Sequence, residues 1–266
     1  MKGKIIAICI AAALTLLNAF TAPAILEAGE QLRYSCSAQI YDAFEAERLS
    51  AFTQATGIAV DLYIAASSTC VNRLMNGFCD IASTTRGLHY SHTENGYVET
   101  PFCRDALAVV VHQASPVSTL SKKQLRNIFL GDVDNWRQLA GPDLPIALAI
   151  PGKSTGAYKN FRLMAMRNRD IRYDFMAYRS TRVIDLVKFI PGTISFIARG
   201  AIAGRTEVKS VDIDGISPSD PNYPLSQTFS YVSRGNPTGP AKAFVDFTFS
   251  DAGREIMKKK GLLPIQ

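Results

Sequence analysis

The sequence has little of what metal centres, membrane spans and low-complexity chains are built from. Among its 266 residues are three histidines and five cysteines, and no two cysteines have the C-x₂₋₄-C spacing of a zinc site. Beyond residue 17 no stretch approaches the ~18 uninterrupted apolar residues of a spanning helix. There is no internal repeat and no low-complexity linker. The whole chain, with 47% hydrophobic and 20% charged residues, is typical of a globular protein with a sizeable core, which excludes disorder and collagen-like repeats.

The first residues predict a secretory signal peptide. Lys2 and Lys4 precede an apolar run over residues 5–17, and small residues follow up to Ala24. The alternative is a membrane anchor, but a run of thirteen is shorter than the ~20 residues that span a bilayer. No cysteine follows a lipobox-like pattern, which argues against lipid anchoring. We therefore expect residues 1–24 to be cleaved and the mature protein to be soluble, either periplasmic or secreted.

A formal charge of +6 and a pI near 9.1 are compatible with nucleic acid, an anionic membrane or an anionic small ligand. Two lysines belong to the predicted leader, which leaves +4 after cleavage. Three more, Lys258, Lys259 and Lys260, end a predicted helix, where cations interact favourably with the helix dipole. No nucleic-acid-binding motif or aromatic interleaving accompanies them. We therefore interpret the run as a solvated helix end and expect no nucleic-acid partner.

Four cysteines, Cys36, Cys70, Cys79 and Cys103, lie beyond the predicted leader. An even number in an oxidising compartment predicts disulfides, and four cysteines allow three pairings. Cys70 and Cys79 flank a predicted helix whose nine residues, at ~1.5 Å rise, separate them by about 13 Å, beyond the ~7 Å limit for a disulfide. We therefore favour Cys36 with Cys70 and Cys79 with Cys103. A zinc site is the alternative, disfavoured by the spacing and the lack of a nearby histidine.

Predicted strands and helices alternate twice along the chain. This pattern predicts an α/β fold of two lobes, each a mostly parallel sheet flanked by helices. The first series opens with a strand over residues 31–35 and an amphipathic helix over residues 42–56, and the second opens with a helix that Ser121 and Gln124 begin as a capping box. We expect a first lobe of residues 25–113, a second lobe of residues 114–208, and a return segment of residues 209–266 that completes the first lobe.

Hydroxyl-rich loops follow four predicted strands, at residues 35–38, 67–69, 83–86 and 154–156. Ligands of open α/β sheets bind beyond the carboxyl ends of the strands. Free amides at helix N-termini, together with hydroxyl donors, can hold an oxyanion without a neutralising cation. The alternative is that each serine or threonine only caps its helix, which is the commonest role of these residues. Because four loops share this position, the anion site is as well supported as the capping alternative.

Two motifs point toward enzymes, and both are incomplete. Residues 147–154 match the nucleotide-binding pattern G-x-x-x-x-G-K-[ST] except that Ala147 replaces the first glycine, and Pro151 removes an amide donor from the loop. His89 and His92 lie in a polar loop, but no G-x-S-x-G motif accompanies them and no catalytic triad can be assigned. These departures favour a binding protein over an enzyme.

Several motifs occur in an order that is characteristic of one family. Residues 120–131 read L-S-K-K-Q-L-R-N-I-F-L-G, and the spacing from there to Trp136 also holds. The other matching segments are Ser67-Ser68-Thr69, residues 76–86, Thr155-Gly156-Ala157 with Phe161, and residues 191–196. Over most of the chain, from about residue 33 to residue 265, the sequence resembles the phosphate-binding proteins of bacterial phosphate ABC importers, within the type II periplasmic-binding-protein superfamily.

The resemblance implies a two-lobed receptor that closes around phosphate or a similar small oxyanion and delivers it to an ABC permease. It implies ligand contacts from the first loop, the Ser-rich helix start, the strand-end loop and the S-G-T loop. These contacts are Ser37, Ala38, Ser67, Thr85, Thr155, Gly156 and Ala157. We expect a monomer without cofactor, metal or enzymatic activity. The alternatives are a sensory module of the same fold coupled to a membrane signalling partner, and a phosphate-ester hydrolase.

The chain departs from the family pattern where charge is concerned. An arginine that family members often carry four residues before the S-G-T serine is matched by Pro151. An aspartate that accepts a proton from phosphate in some members is matched by Thr85. We expect Lys153 and Arg86 to help attract the anion, although the compact ammonium of a lysine does not reproduce the bidentate contact of a guanidinium.

Overall fold

The computed structural model describes residues 30–88, 90–178 and 181–265. The predicted signal peptide, residues 1–24, and His89 lie outside the described residues. Among the residues that are described, no helix is long and apolar enough to cross a membrane.

Strands and helices alternate along the described chain. The strands are β1 Gln31–Ser37, β2 Ala59–Ala65, β3 Ile81–Thr84, β4 Tyr97–His112, β5 Thr119–Leu120, β6 Ala147–Pro151, β7 Phe175–Ala177, β8 Thr193–Ala198, β9 Val208–Ile213, β10 Ser226–Arg234 and β11 Leu263–Pro264. The helices are α1 Ala38–Ile40, α2 Ala46–Thr56, α3 Ser67–Met75, α4 Tyr90–Glu94, α5 Lys122–Leu130, α6 Gly156–Met164, α7 Arg182–Phe189, α8 Gly239–Phe249 and α9 Asp251–Lys259. A π-helix, Tyr41–Glu45, connects α1 to α2, and 3-10 helices cover Trp136–Leu139 and Arg199–Ile202.

Capping residues set the ends of several helices. Ser121 caps α5 and forms the predicted capping box with Gln124, while Gly131 ends the same helix in the left-handed region at φ 83°. The helix predicted over residues 42–56 begins earlier, because α1 and the π-helix run into α2 without a break. Ser67, expected at a cap position, is instead the first residue of α3.

The longest path through the strands is a mixed sheet in the order β2-β1-β3-β10-β4-β8-β6-β7. β1 is parallel to β2 and β3, and β6 is parallel to β7 and β8, in agreement with the predicted α/β alternation. The centre is antiparallel: β10 runs against both β3 and β4, and β4 runs against β8. Of these strands, β4 carries the chain out of the first lobe, and β10 carries it back.

Strand β4 belongs to both lobes. Its residues 97–106 pair with β10, and its residues 107–111 pair with β8. Phe102, in the first of these stretches, lies in the core of the first lobe, whereas the core of the second lobe is built around Phe161 and Phe196, whose rings stack with centroids 3.8 Å apart. The sixteen residues of β4 are therefore a structural link between the lobes.

The chain returns to the first lobe later than the boundary predicted at residue 209. Val211, Ile213 and Leu225 pack in the core of the second lobe, and β9 pairs with the second-lobe part of β4. After residue 209, the first strand that pairs with a first-lobe strand is β10. Packing therefore assigns residues 209–225 to the second lobe.

The four described cysteines are buried free thiols, so the structure contains neither of the predicted disulfides. Cys36 and Cys103 lie in the main core of the first lobe, whereas Cys70 and Cys79 lie in a smaller cluster that includes Val232. Neighbouring residues of β3, Ile81 and Ala82, divide between these same two clusters, and successive strand residues face opposite sides of a sheet. Each predicted pair would therefore have joined thiols on opposite faces of the sheet.

A buried ion pair anchors the helical segment that follows β1. Glu45 and Arg48 are fully buried, and the Arg48 guanidinium lies 2.5 Å from a Glu45 carboxylate oxygen. Arg48 also donates to the hydroxyl of Thr248 at 2.9 Å and lies over the ring of Phe102 at 5.1 Å. Removing one partner of such a pair would leave a buried charge uncompensated. The pair therefore fixes the helix that begins directly after Ser37.

Candidate functional site

Three hydroxyls meet in the first lobe at the carboxyl ends of its parallel strands. Ser37 ends β1, Ser67 begins α3, and Thr85 follows β3. The Ser67 hydroxyl oxygen lies 3.0 Å from that of Ser37 and 3.3 Å from that of Thr85, and it also accepts the Thr85 amide at 3.2 Å. All three residues are buried, with exposed fractions between 1% and 5%. We call Ser37, Ser67 and Thr85 the hydroxyl cluster.

A third serine, Ser83, supports the hydroxyl cluster by hydrogen bonding. The Ser83 hydroxyl accepts the Ser37 amide at 2.9 Å and the Tyr34 hydroxyl at 2.8 Å. Burial raises the pKa of the Tyr34 hydroxyl well above its ordinary value, so this donor keeps its proton. The first-lobe side of the site is thus ordered by its own hydrogen bonds.

The second lobe faces the hydroxyl cluster with the start of α6. A side chain on Gly156 would collide with the Thr85 hydroxyl, and its Cβ would lie 2.7 Å from the side-chain oxygen of Gln39. Only a residue without a Cβ allows the two lobes to approach this closely. Gly156 is therefore the point at which the second lobe closes on the first.

The neighbours of Gly156 have structural roles. The Thr155 hydroxyl caps α6 by accepting the Tyr158 amide at 3.2 Å and donates to the Gly152 carbonyl at 2.7 Å. Ala157 has no exposed surface and packs in the core of the second lobe. The hydroxyl of Thr155 is thus committed to the helix and its turn, where the sequence had suggested a ligand contact.

Two cavities border the hydroxyl cluster. One, of about 370 Å³, is lined by Ser67, Arg86, Gly156 and Lys159 among others, and none of its described lining residues is an aspartate or glutamate. The other, of about 530 Å³, has Asp42 in its lining. Its further lining residues include Ser37, Ala38, Gln39, Thr155 and Gly156. Of the residues predicted as ligand contacts, Ser37, Ala38, Ser67, Arg86, Thr155 and Gly156 line one or both cavities, whereas Thr85, Lys153 and Ala157 line neither.

The two predicted cations lie in different places. Arg86 is exposed and lines the smaller cavity beside Ser67. Lys153 is exposed, and its ammonium lies 4.9 Å from the centre of the Tyr173 ring, while neither cavity has Lys153 in its lining. The structure therefore brings Arg86 to the site and leaves Lys153, like the buried Ala157, out of its lining.

Two amide side chains that sequence reasoning overlooked lie at the same junction. Gln39 is 2% exposed and lies against Gly156. Asn160, one turn along α6, donates to the carbonyl of Thr85 and to the side-chain oxygen of Gln227, both at 2.8 Å. Asn160 thus bonds the second lobe directly to the strand-end loop of the first. Asn160 lies four residues after Gly156 and therefore on the same face of α6, so helical spacing could have identified it from the sequence.

A buried carboxyl lies beside this junction without entering either cavity. Asp105 of β4 is opposite Gln227 in the strand register and is 2% exposed. Burial raises its pKa to about 7, and the charge of Arg199 opposes that rise. At mildly acidic pH Asp105 is therefore neutral, so it adds no negative charge to the place where the lobes meet.

The arrangement suits binding better than nucleophilic catalysis. Burial raises the pKa of the Cys36 and Cys103 thiols well above the ordinary value, which keeps them protonated and unreactive. In the described part of the chain no group of three or more histidine, cysteine, aspartate or glutamate residues is placed to hold a metal. What the site offers is a set of neutral donors, which can surround an oxyanion by hydrogen bonding.

Comparison with known proteins places the chain among binding proteins. It is 25% identical over 217 residues to the phosphate-binding protein PstS of Borreliella burgdorferi, covering 75% of this chain and 77% of that protein. It is 28% identical over 165 residues to the phosphate-binding protein PstS of Bacillus subtilis, covering 60% of this chain and 55% of that protein. A Clostridium perfringens protein crystallised with bound phosphate shares the fold, with a TM-score of 0.78, 22% identity and coverage of 89% of this chain and 100% of that chain.

The family assignment rests on the model of the PBP superfamily domain, which matches residues 22–252. That range includes the hydroxyl cluster, the start of α6 and all of the second lobe, and it ends within α9 of the first lobe. The chain therefore belongs to the PBP superfamily.

Proposed function

We propose that this chain is an exported solute-binding protein that captures phosphate, or a similar small oxyanion, between its lobes and presents it to an ABC importer. The observation that carries the proposal is that three hydroxyls meet in the hydroxyl cluster and that one of them, from Thr85, lies against Gly156 at the start of α6. The relatives named phosphate-binding protein PstS support phosphate as the ligand.

Recognition relies on hydrogen bonding more than on neutralisation. The Ser37, Ser67 and Thr85 hydroxyls donate to the oxyanion, and the first amides of α3 and α6 add donors and partial positive charge. Each hydrogen bond to a charged acceptor contributes roughly 1.5–3 kcal/mol net, so five or more offset the desolvation of the anion. Arg86 and Lys159 raise the local concentration of anions at the cleft.

Capture requires the lobes to move. The hydroxyl cluster is at most 5% exposed, so a ligand reaches it when the second lobe swings away and releases the contact between Gly156 and Thr85. The Asn160 bond to the Thr85 carbonyl breaks in the open form and reforms on closure. Hinge closure of this kind binds and releases the ligand without chemical turnover.

Calorimetric titration of the purified chain with phosphate and sulfate tests this function directly. We expect saturable one-to-one binding of phosphate. The absence of binding to any tetrahedral oxyanion would contradict the ligand assignment. Phosphatase activity that disappears on changing His92 would support the hydrolase alternative instead.

A further inference from the structure

The side chain of Gln39 is buried and makes no hydrogen bond within the described part of the chain. It is 2% exposed, and neither its oxygen nor its nitrogen has a partner among the described residues. A carboxamide can make up to four hydrogen bonds, and burying it without any is costly. A buried amide without a hydrogen-bond partner calls for an explanation, and the position of Gln39 provides one.

Gln39 faces the place where the anion would bind. Its side-chain oxygen lies 2.7 Å from the position that a Cβ on Gly156 would take, and the Thr85 hydroxyl borders the same position. Gln39 also lines the 530 Å³ cavity together with Ser37 and Ala38. Its carboxamide is thus enclosed by the residues that form both walls of the site.

A protonated oxyanion needs an acceptor as well as donors, and an amide can provide both. Monohydrogen phosphate carries a proton that needs an acceptor, and its remaining oxygens need donors. A carboxylate would accept that proton but repel the anion, whereas a carboxamide is neutral and offers both an acceptor and donors. The same cavity lining includes the carboxylate residue Asp42, three residues after Gln39 in the sequence.

Resting on the proposed function, we propose that Gln39 contacts the bound oxyanion through its carboxamide, with the oxygen accepting from the protonated phosphate oxygen and the nitrogen donating to another. Gln39 is then the residue that favours a protonated oxyanion over one that presents only acceptors. Sulfate uses only the nitrogen of the amide, so it gains less from Gln39 than phosphate does.

Two substitutions separate recognition from packing. Gln39→Leu keeps the approximate size and removes both polar atoms, so phosphate affinity falls at least about tenfold and sulfate affinity falls less. Gln39→Glu restores an acceptor that carries charge, so the preference for phosphate over sulfate rises. Gln54→Leu, at an exposed glutamine of α2, is the matched control and leaves both affinities unchanged.

The readouts are the dissociation constants for phosphate and sulfate by calorimetry and the thermal midpoint without ligand. Gln39→Leu is expected to match or exceed the wild-type midpoint, because it removes a buried, unpaired amide. Unchanged affinities in Gln39→Leu overturn the inference, as does an equal loss for both anions with a lower midpoint, which indicates a packing role. Wild-type protein that binds neither anion contradicts the proposed function itself.

Discussion

The two walls of the cleft are built on different principles. The first-lobe wall presents the hydroxyl cluster, held by the Ser83 hydroxyl and by hydrogen bonds within the cluster. The second-lobe wall presents Gly156, a residue with no side chain, and the Thr155 hydroxyl beside it is used within its own helix. One wall therefore contributes side-chain chemistry and the other contributes close approach. From this difference we expect the first lobe to select the ligand and the second lobe to enclose it.

The largest effect is expected from adding a single methyl group to the second-lobe wall. Gly156→Ala places a Cβ against the Thr85 hydroxyl and the Gln39 oxygen, which prevents full closure. We expect phosphate affinity measured by calorimetry to fall about a hundredfold or more, because the donors of α6 no longer reach the anion.

Gly152→Ala is the control for this substitution. A Cβ at Gly152 would make only ordinary contacts, the nearest at 3.6 Å from the Tyr178 carbonyl oxygen. Its affinity should match the wild type. Equal affinities for Gly156→Ala and Gly152→Ala would show that close approach at Gly156 is not needed.

An intermediate effect is expected from removing one hydroxyl from the first-lobe wall. Ser67→Ala removes the central member of the hydroxyl cluster and the acceptor of the Thr85 amide, so phosphate affinity should fall about ten- to a hundredfold.

Thr155→Val is the matched change on the other wall. It removes the cap of α6 and should cost about 1 kcal/mol of unfolding free energy in urea, with little change in phosphate affinity. A larger loss of affinity in Thr155→Val than in Ser67→Ala would reverse the comparison.

The smallest effect is expected from the cations. Arg86→Ala should weaken phosphate binding by about two- to fivefold at low salt, and the difference should shrink as salt increases, because Arg86 is exposed beside the cavity. Lys153→Ala removes an ammonium that lies over Tyr173 and should leave the affinity unchanged. Calorimetry at two salt concentrations distinguishes the pair, and an equal loss for both would mean that Lys153 also acts at the cleft.

Local signals account for the parts of the fold that the sequence predicts well. Ser121 and Gln124 form the capping box because the two residues interact within a single turn. The hydroxyl-rich loops meet because parallel strands end at one edge of a sheet, and within those loops the resemblance to the family singled out Ser37, Ser67 and Thr85.

The features that sequence reasoning missed depend on long-range geometry. The cysteine pairing failed because the spacing along the chain does not tell which face of the sheet a thiol lies on, and Cys36 and Cys70 lie in different clusters. Lys153 follows the right strand, but Tyr173, distant in sequence, provides a stacking surface for it outside the cavity linings. Gln39 gave no signal, because only the approach of Gly156 from the other lobe makes it part of the site.

The shared strand β4 constrains how this protein can evolve. Leu107, Val109 and Val111 pack in one core of the second lobe, while Ala108 and Val110 pack in another. Deleting one residue from β4 would exchange these two sets, because side chains alternate between the faces of a strand. If the deleted residue lies in the stretch paired with β8, the stretch paired with β10 keeps its register, and the damage falls on the second lobe. Length changes in this strand should therefore be accepted in pairs of residues.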